Sequence, residues 1–303
     1  MQLYYNYIRN LRICVGYKHR LFVQWFKMRG RMNDLEIIMQ KITANQLFDE
    51  EYYKSQFEEE LDEDLLLHYL NVGFKEGKNP SQRFNNNFYL DRYKDVKNSG
   101  MNPLIHYMLY GKTEKRLINP DLKFNPVNTR LLTKSIFDEM AKEDSYFSGR
   151  WDYIEEILLE LSKLDDCFNI LEMGPYKLPL VKGEDVIDIN AAFKSYYPIE
   201  INKFIQFDCS KTPYPIKDKE YDLVIACQVL EHLGIHGEQK NIFDELERIS
   251  SKAIISLPYK WFSPVMRDHH MIDKKVINHW AKGRKPIYER ISTQRIIHIY
   301  DFD

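Results

Sequence analysis

From Trp151 onward, a stretch with helical spacing gives way to short strand-like runs that alternate with helical ones, and few architectures accept that order. Over Trp151–Leu164 the apolar residues fall at Ile154, Ile157, Leu158, Leu161 and Leu164, one face of an amphipathic helix. Strand-like runs follow at Phe168–Met173, Asp185–Ile189, Lys203–Phe207, Asp222–Cys227 and Lys252–Leu257. Helical patterns lie at Glu238–Ile249 and Asp273–Ala281. The chain closes with Ile287–Ile291 and Arg295–Tyr300, split by a short polar turn, which read as a hairpin. This alternation predicts an α/β domain over residues 145–303. Its parallel sheet is expected to be covered on both faces, with an antiparallel end supplied by the hairpin.

The preceding stretch is organised differently. Phe48-Asp-Glu-Glu-Tyr-Tyr53 matches Phe84-Asn-Asn-Asn-Phe-Tyr89 at an offset of 36. Leu67-His-Tyr-Leu-Asn-Val-Gly73 matches Ile105-His-Tyr-Met-Leu-Tyr-Gly111 at an offset of 38, so the second copy holds extra residues, placed at Gly100 and Asn102-Pro103. Each copy reads as two short helices ending in a charged stretch before Pro80 or Pro120. The glycine after His-Tyr-x-x-x is expected as a left-handed C-cap, with the later proline stopping continuation. One copy cannot bury its Tyr, Phe and Leu face alone, so the two are expected to stack as a small α-helical domain over 47–125. His68 and His106 are expected to be structural, hydrogen-bonded between helices, rather than ligands. Residues 1–46 form a basic, aromatic segment expected to be helical, with seven basic residues from Arg9 to Arg31 and no acid before Asp34. Such a segment either contacts an anionic membrane surface or a partner, or packs as a helical lead-in with solvated charges.

Composition narrows the class. A chain of 303 residues suggests two domains, and 44% hydrophobic with 29% charged residues is ordinary for a soluble protein. The net charge of -2 argues against a nucleic-acid partner. Cys14, Cys167, Cys209 and Cys227 form no C-x-x-C pair, so neither a disulfide framework nor a zinc site is expected, and a reducing cytoplasm fits. No run approaches the roughly 20 apolar residues that span a bilayer, and basic residues interrupt any signal-peptide core. The expected location is cytoplasmic, at most peripheral to the inner face of the membrane.

In open α/β sheets, ligands bind beyond the carboxyl ends of the strands near the switch point, so the residues that follow each run are the candidates. Gly174, after Leu171-Glu172-Met173, lets the backbone approach a ligand closely. Asp188 in Val-Ile-Asp-Ile can accept both ribose hydroxyls of an adenosine, or can face water as a strand-end acid. The run from Phe207 to Leu233 contains Asp208, Thr-Pro-Tyr-Pro-Ile, Tyr221-Asp-Leu-Val-Ile-Ala-Cys-Gln228 and Val-Leu-Glu-His-Leu233. It resembles class I S-adenosylmethionine-dependent methyltransferases, whose typical run is "D-x-x-x-L-P-F-P-D-x-S-F-D-x-V-x-x-x-x-V-L-E-H-L". The resemblance covers about 150 residues and implies a Rossmann-like methyltransferase sheet ending in the antiparallel hairpin, with S-adenosylmethionine as cofactor. It also implies roles. Glu172 and Gly174 become the first-strand acid and loop glycine, Asp188 holds the ribose, Asp208 faces the adenine amino group, and Gln228 edges the methionine end. In one respect the chain departs from the family. Instead of "G-x-G-x-G" and a full helix it reads Gly174-Pro-Tyr-Lys-Leu-Pro-Leu-Val-Lys-Gly183, like the subset with an "E-x-G-P" start and a shortened first crossover.

On the acceptor side, a hydroxyl nucleophile gains from a base of near-neutral pKa. His232, His269 and His270, together with His236, are the candidates for base or substrate contact. Adjacent histidines point apart in regular structure, so no metal is expected at Asp268-His-His270. The repeats resemble tandem modules found beside glycosyltransferases and rhamnan-synthesis proteins of bacterial surface polysaccharide clusters, with "F-D-x-x-Y-Y" followed by "P-L-x-H-Y-x-x-x-G-x-x-E-G-R-x-P". Together the two resemblances imply a methyltransferase acting on a saccharide or nucleotide-sugar-derived substrate, with a glycosyltransferase as partner. The alternatives are a non-catalytic scaffold that recruits glycosyltransferases, or an enzyme whose acceptor is a lipid, quinone or small metabolite.

Overall fold

The computed structural model describes residues 32–58, 61, 64–234, 237–261 and 272–303. His236, Asp268, His269 and His270 lie outside the described residues, as does the basic aromatic segment through residue 31. The chain divides into two compact units, Met1–Pro120 and Asp121–Asp303.

The described part of the first unit is helical: α1 (Met32–Ala44), α2 (Glu50–Lys54), α3 (Leu65–His68), α4 (Asn86–Arg92), α5 (Lys94–Ser99) and α6 (Pro103–His106). The two segments matched in the sequence have matching caps. Asp49 and Asn85 open α2 and α4, and Asp64 and Asn102 open α3 and α6, each side chain accepting a backbone N–H of the first turn. That acceptance satisfies a donor the helix itself leaves unpaired. Each copy then widens into one π turn, Tyr69–Gly73 and Tyr107–Gly111. A tyrosine from the preceding helix reaches that region: Tyr53 Oη lies 2.7 Å from His68 Nδ1, and Tyr89 Oη 3.0 Å from His106 Nδ1.

Gly73 and Gly111 are not the left-handed caps expected from the sequence. A Cβ at Gly73 would overlap the Tyr53 hydroxyl, and one at Gly111 the Tyr89 hydroxyl. Glycine is present there for space, and the left-handed cap sits instead at Gly100, which ends α5 with φ 67°. The copies join through Tyr69 Oη, which donates to Asn86 Oδ1 at 2.8 Å, and through fully buried Tyr53, Tyr69, Phe84, Tyr89 and Tyr107. Each buried phenol brings apolar area with a polar tip that needs a partner.

The second unit contains α7 (Lys134–Glu143), α8 (Trp151–Leu161), β1 (Ile170–Met173), β2 (Asp185–Asp188), β3 (Lys203–Gln206), β4 (Tyr221–Cys227), α9 (Gln239–Ile249), β5 (Ser250–Pro258), α10 (Lys274–Trp280), β6 (Tyr288–Ser292) and β7 (Arg295–Asp301). The strands form one seven-stranded sheet in the order β3-β2-β1-β4-β5-β7-β6. The first five are mutually parallel, and β7 runs antiparallel to both β5 and β6. The order 3-2-1-4-5 is that of a Rossmann-like α/β sheet.

Both faces are covered. Ile242, Phe243, Leu246 and Ile249 of α9 and Ile277 of α10 pack on one face. Ile154, Ile157, Leu158 and Leu161 of α8, with Phe137 and Met140 of α7, pack on the other. Residues 126–144, which the sequence left between its two expected domains, and 121–125, which it gave to the helical domain, therefore belong to this unit. Leu132 N–H donates to the Leu180 carbonyl at 2.8 Å. The Arg130 guanidinium, 1% exposed, donates to the carbonyls of Phe168 at 2.6 Å and Lys182 at 3.1 Å. These contacts tie the entry of β1 to the far end of the β1–β2 connection, which contains no helix.

Candidate active site

The strand order reverses between β1 and β4, and a cavity of about 240 Å³ opens beyond their carboxyl ends. It brings together Glu172, Gly174, Asp188, Gln228 and His232 from three separate stretches of sequence. Asp208 is not among the lining residues.

Gly174 follows β1 with φ 55° and donates its N–H to the Ile187 carbonyl at 2.9 Å. A Cβ there would stand 3.1 Å from Val229 Cγ2, so the left-handed backbone and the tight approach of the β4 exit both require glycine. Gln228 mirrors it at the end of β4. Its φ of 58° is rare for a residue with a side chain. The conformation is held by its N–H on the Ser256 carbonyl at 2.8 Å and its Nε2 near Ser256 Oγ at 3.2 Å. Tyr176, also lining the cavity, has φ 55°. Strained backbone of this kind persists where the surroundings over-determine it, and it collects at binding sites.

Asp188 ends β2 with its side chain largely buried, and its Oδ1 accepts the Asn190 N–H at 2.8 Å. Burial raises its pKa, against the lowering effect of backbone N–H groups of Asn190 and Ile189. Glu172 is turned inward: its Oε2 accepts the Leu180 N–H at 2.8 Å and so pins the β1–β2 connection. Burial pushes its pKa up to about 7. Neighbouring Glu184 is raised as well, by burial first and then by the charge of Glu172, with Arg130 opposing. Asp208 closes its own turn, accepting the Ser210 N–H at 3.1 Å and hydroxyl at 2.6 Å, and pairs with Lys211 at 3.4 Å. His232 ends a short 3₁₀ turn, Leu230–His232, with Nε2 3.9 Å from Glu231 Oε1.

One wall was not anticipated from the sequence. Tyr146 and Phe147, before α8, meet Tyr176 with ring centroids 4.8 and 6.1 Å apart, and Phe193 lies 4.7 Å from Tyr176. Lys177 Nζ anchors this loop to Asp144 at 2.7 Å. The only trace of this wall in the sequence is aromatic density, which has no spacing rule.

A switch-point cavity in a Rossmann-like sheet closed by an antiparallel hairpin defines the class of architecture. No family model matches the chain, and no curated protein matches it. Among solved structures, it is similar to the N-methyltransferase NodS from Bradyrhizobium japonicum WM9 in complex with S-adenosyl-L-homocysteine, at 14% identity over 55% of this chain and 96% of that one, TM-score 0.41. It is also similar to the PH0226 protein from Pyrococcus horikoshii OT3, at 14% identity over 56% and 99%, TM-score 0.40. A third similar structure is the 16S rRNA methylase ArmA, at 15% identity over 55% and 90%, TM-score 0.38.

Proposed function

We propose that the chain is an S-adenosylmethionine-dependent methyltransferase whose acceptor is a hydroxyl of a sugar or saccharide intermediate in bacterial surface polysaccharide assembly. The observation that carries this reading is the meeting of Gly174, Asp188 and Gln228 in one cavity at the switch point. These are three of the positions that the Asp208–Leu233 resemblance and its upstream partners assign to the cofactor. The residues fit that group: a largely buried carboxylate for the ribose hydroxyls, a glycine where a side chain would narrow the cradle, and a fixed amide at the β4 exit. Glu172 lines the cavity with one oxygen on the Leu180 N–H, and Asp208 accepts within its own turn outside the lining, so their cofactor roles rest on the resemblance alone. S-adenosylmethionine supplies, when bound, a methyl group on a cationic sulfur. The protein's part is to align the acceptor oxygen, with His232 at the cavity to take the hydroxyl proton.

The saccharide acceptor and a glycosyltransferase partner for the first unit are supported by the resemblance of the tandem repeats. Calorimetry of the full chain tests the core of the reading. S-adenosylhomocysteine should bind in the micromolar range, and Asp188→Ala should abolish measurable binding. A wild-type protein that gives no heat with either the cofactor or its product would end this reading. Capture of a glycosyltransferase by residues 1–125 in its place would favour the scaffold alternative, which the inward turn of Glu172 also suits.

A further inference from the structure

Next to the cavity wall made by Tyr146, Tyr153 and His232, two guanidinium groups and one carboxyl have no role in the assignments above. Arg295, at the start of β7, is 9% exposed and lies 5.5 Å from the Tyr153 ring and 4.6 Å from the Trp261 ring. Its Nη1 donates to the adjacent Gln294 carbonyl at 3.2 Å, while its Nε has no hydrogen-bond partner among the described residues. Arg150, at the N-cap of α8, stands 3.9 Å from the Tyr146 ring centroid and donates through Nε to the Tyr146 carbonyl at 2.5 Å. The carboxyl that both guanidinium groups feel is Glu231. It is 2% exposed, yet its two oxygens hydrogen-bond no other described residue.

The three groups thus lie within electrostatic reach of one another, and among the described residues they form no hydrogen bond with each other. A buried cation without a counter-charge is costly, and a second cation beside it adds to the cost. Arg295 carries both penalties: burial lowers its pKa first, and Arg150 lowers it further. Glu231 does little to offset them, because burial pushes its own pKa up to about 8 and favours the uncharged acid. What would complete this arrangement is an anion that arrives with the ligand. Guanidinium forks match the geometry of carboxylate and phosphate oxygens, and the flanking rings hold both forks in place. The acid form of Glu231 has an O–H to donate to the same anion.

We propose that Arg150 and Arg295 form an acceptor subsite beside the cavity, and that this subsite takes a ligand bearing an oxyanion, either a carboxylate or a phosphate ester. The identity of the anion site stands on these residues alone. Its description as an acceptor subsite rests on the methyltransferase reading. The test is calorimetry of the full chain with D-glucuronate, glucose 6-phosphate and neutral methyl glucoside, alongside S-adenosylhomocysteine. At least one anionic sugar should bind saturably while methyl glucoside does not, and whichever binds separates carboxylate from phosphate. Arg295→Met and the less buried Arg150→Met should each weaken that binding by about tenfold or more, the loss of a charge-assisted contact. Both should keep S-adenosylhomocysteine binding, which also reports that they fold. Glu231→Gln, which retains a hydrogen-bond donor, should keep anion binding.

Equal binding of neutral and charged sugars, no binding of either anionic sugar, or undiminished binding in both arginine variants would overturn the proposal. So would loss of anion binding in Glu231→Gln, which would make Glu231 the internal counter-ion of the pair. Anionic sugar binding without S-adenosylhomocysteine binding would leave the subsite standing and remove the methyltransferase reading.

Discussion

A methyl group at Gly73 would occupy the space of the Tyr53 hydroxyl, which already contacts His68. Gly73→Ala should therefore destabilise the first unit by about 1–3 kcal/mol, the range for overpacking a filled interior, measured by urea denaturation. Tyr53→Phe removes the clashing oxygen and should recover part of that loss in the Gly73→Ala background. It should recover none in Gly111→Ala, whose clash is with Tyr89. A double-mutant cycle separates the two cases. The same residues show how a correct motif can be given the wrong cause. Glycine after His-Tyr-x-x-x has the signature of a helix cap, and sequence alone does not show a tyrosine hydroxyl arriving from the preceding helix. Asp49, Asn85, Asp64 and Asn102 cap helices at places the two matched segments share.

At the scale of elements, the β1–β2 connection stands out because it is held by side chains rather than by a helix of its own. Glu172 accepts the Leu180 N–H, and Arg130 donates to the Lys182 carbonyl. With burial raising the folded pKa of Glu172 from 4.5 to about 7, the folded state binds more protons than the unfolded state between those values. Stability must then fall as pH rises through that window, with this contribution fully lost above about pH 7. Thermal unfolding followed from pH 4.5 to 8 should show a declining Tm, and Glu172→Gln should flatten the decline while Glu184 and Glu231 leave a residue of it. A Tm that climbs across the window would contradict the assignment. The strands were legible because each β-branched run is bounded by turn residues, and every run found in the sequence became a strand. The cavity positions Gly174, Asp188, Gln228 and His232 were legible because they follow strand ends. The wall of Tyr146, Phe147, Tyr176 and Phe193 was not, since these rings come from separate loops and share no period. Helix α7 escaped too, its Phe137 and Met140 lying among charged residues that hide the apolar face.

For the molecule as a whole, the boundary between its parts matters experimentally. Val127, Leu132, Phe137 and Met140 are buried in the core of the second unit, and Arg130 is fully enclosed there. A fragment of residues 121–303 should fold cooperatively and bind S-adenosylhomocysteine as the full chain does. A fragment of residues 145–303, the domain suggested by the alternating pattern alone, should be expanded and aggregation-prone. Circular dichroism melts and calorimetry of the two fragments decide this, and an equally stable shorter fragment would show that residues 121–144 are dispensable. The shape of the β1–β2 connection also sets a limit on what the cavity can select. Dinucleotide sites of Rossmann sheets place a pyrophosphate against the positive end of the helix that follows the first strand. Here Gly174 leads into a loop pinned by Glu172 and without a helix, so that anchor is missing from the β1–β2 connection. A nicotinamide dinucleotide would forfeit its strongest anchor in this cavity, whereas a nucleoside joined to a sulfonium, with no phosphate, would miss nothing.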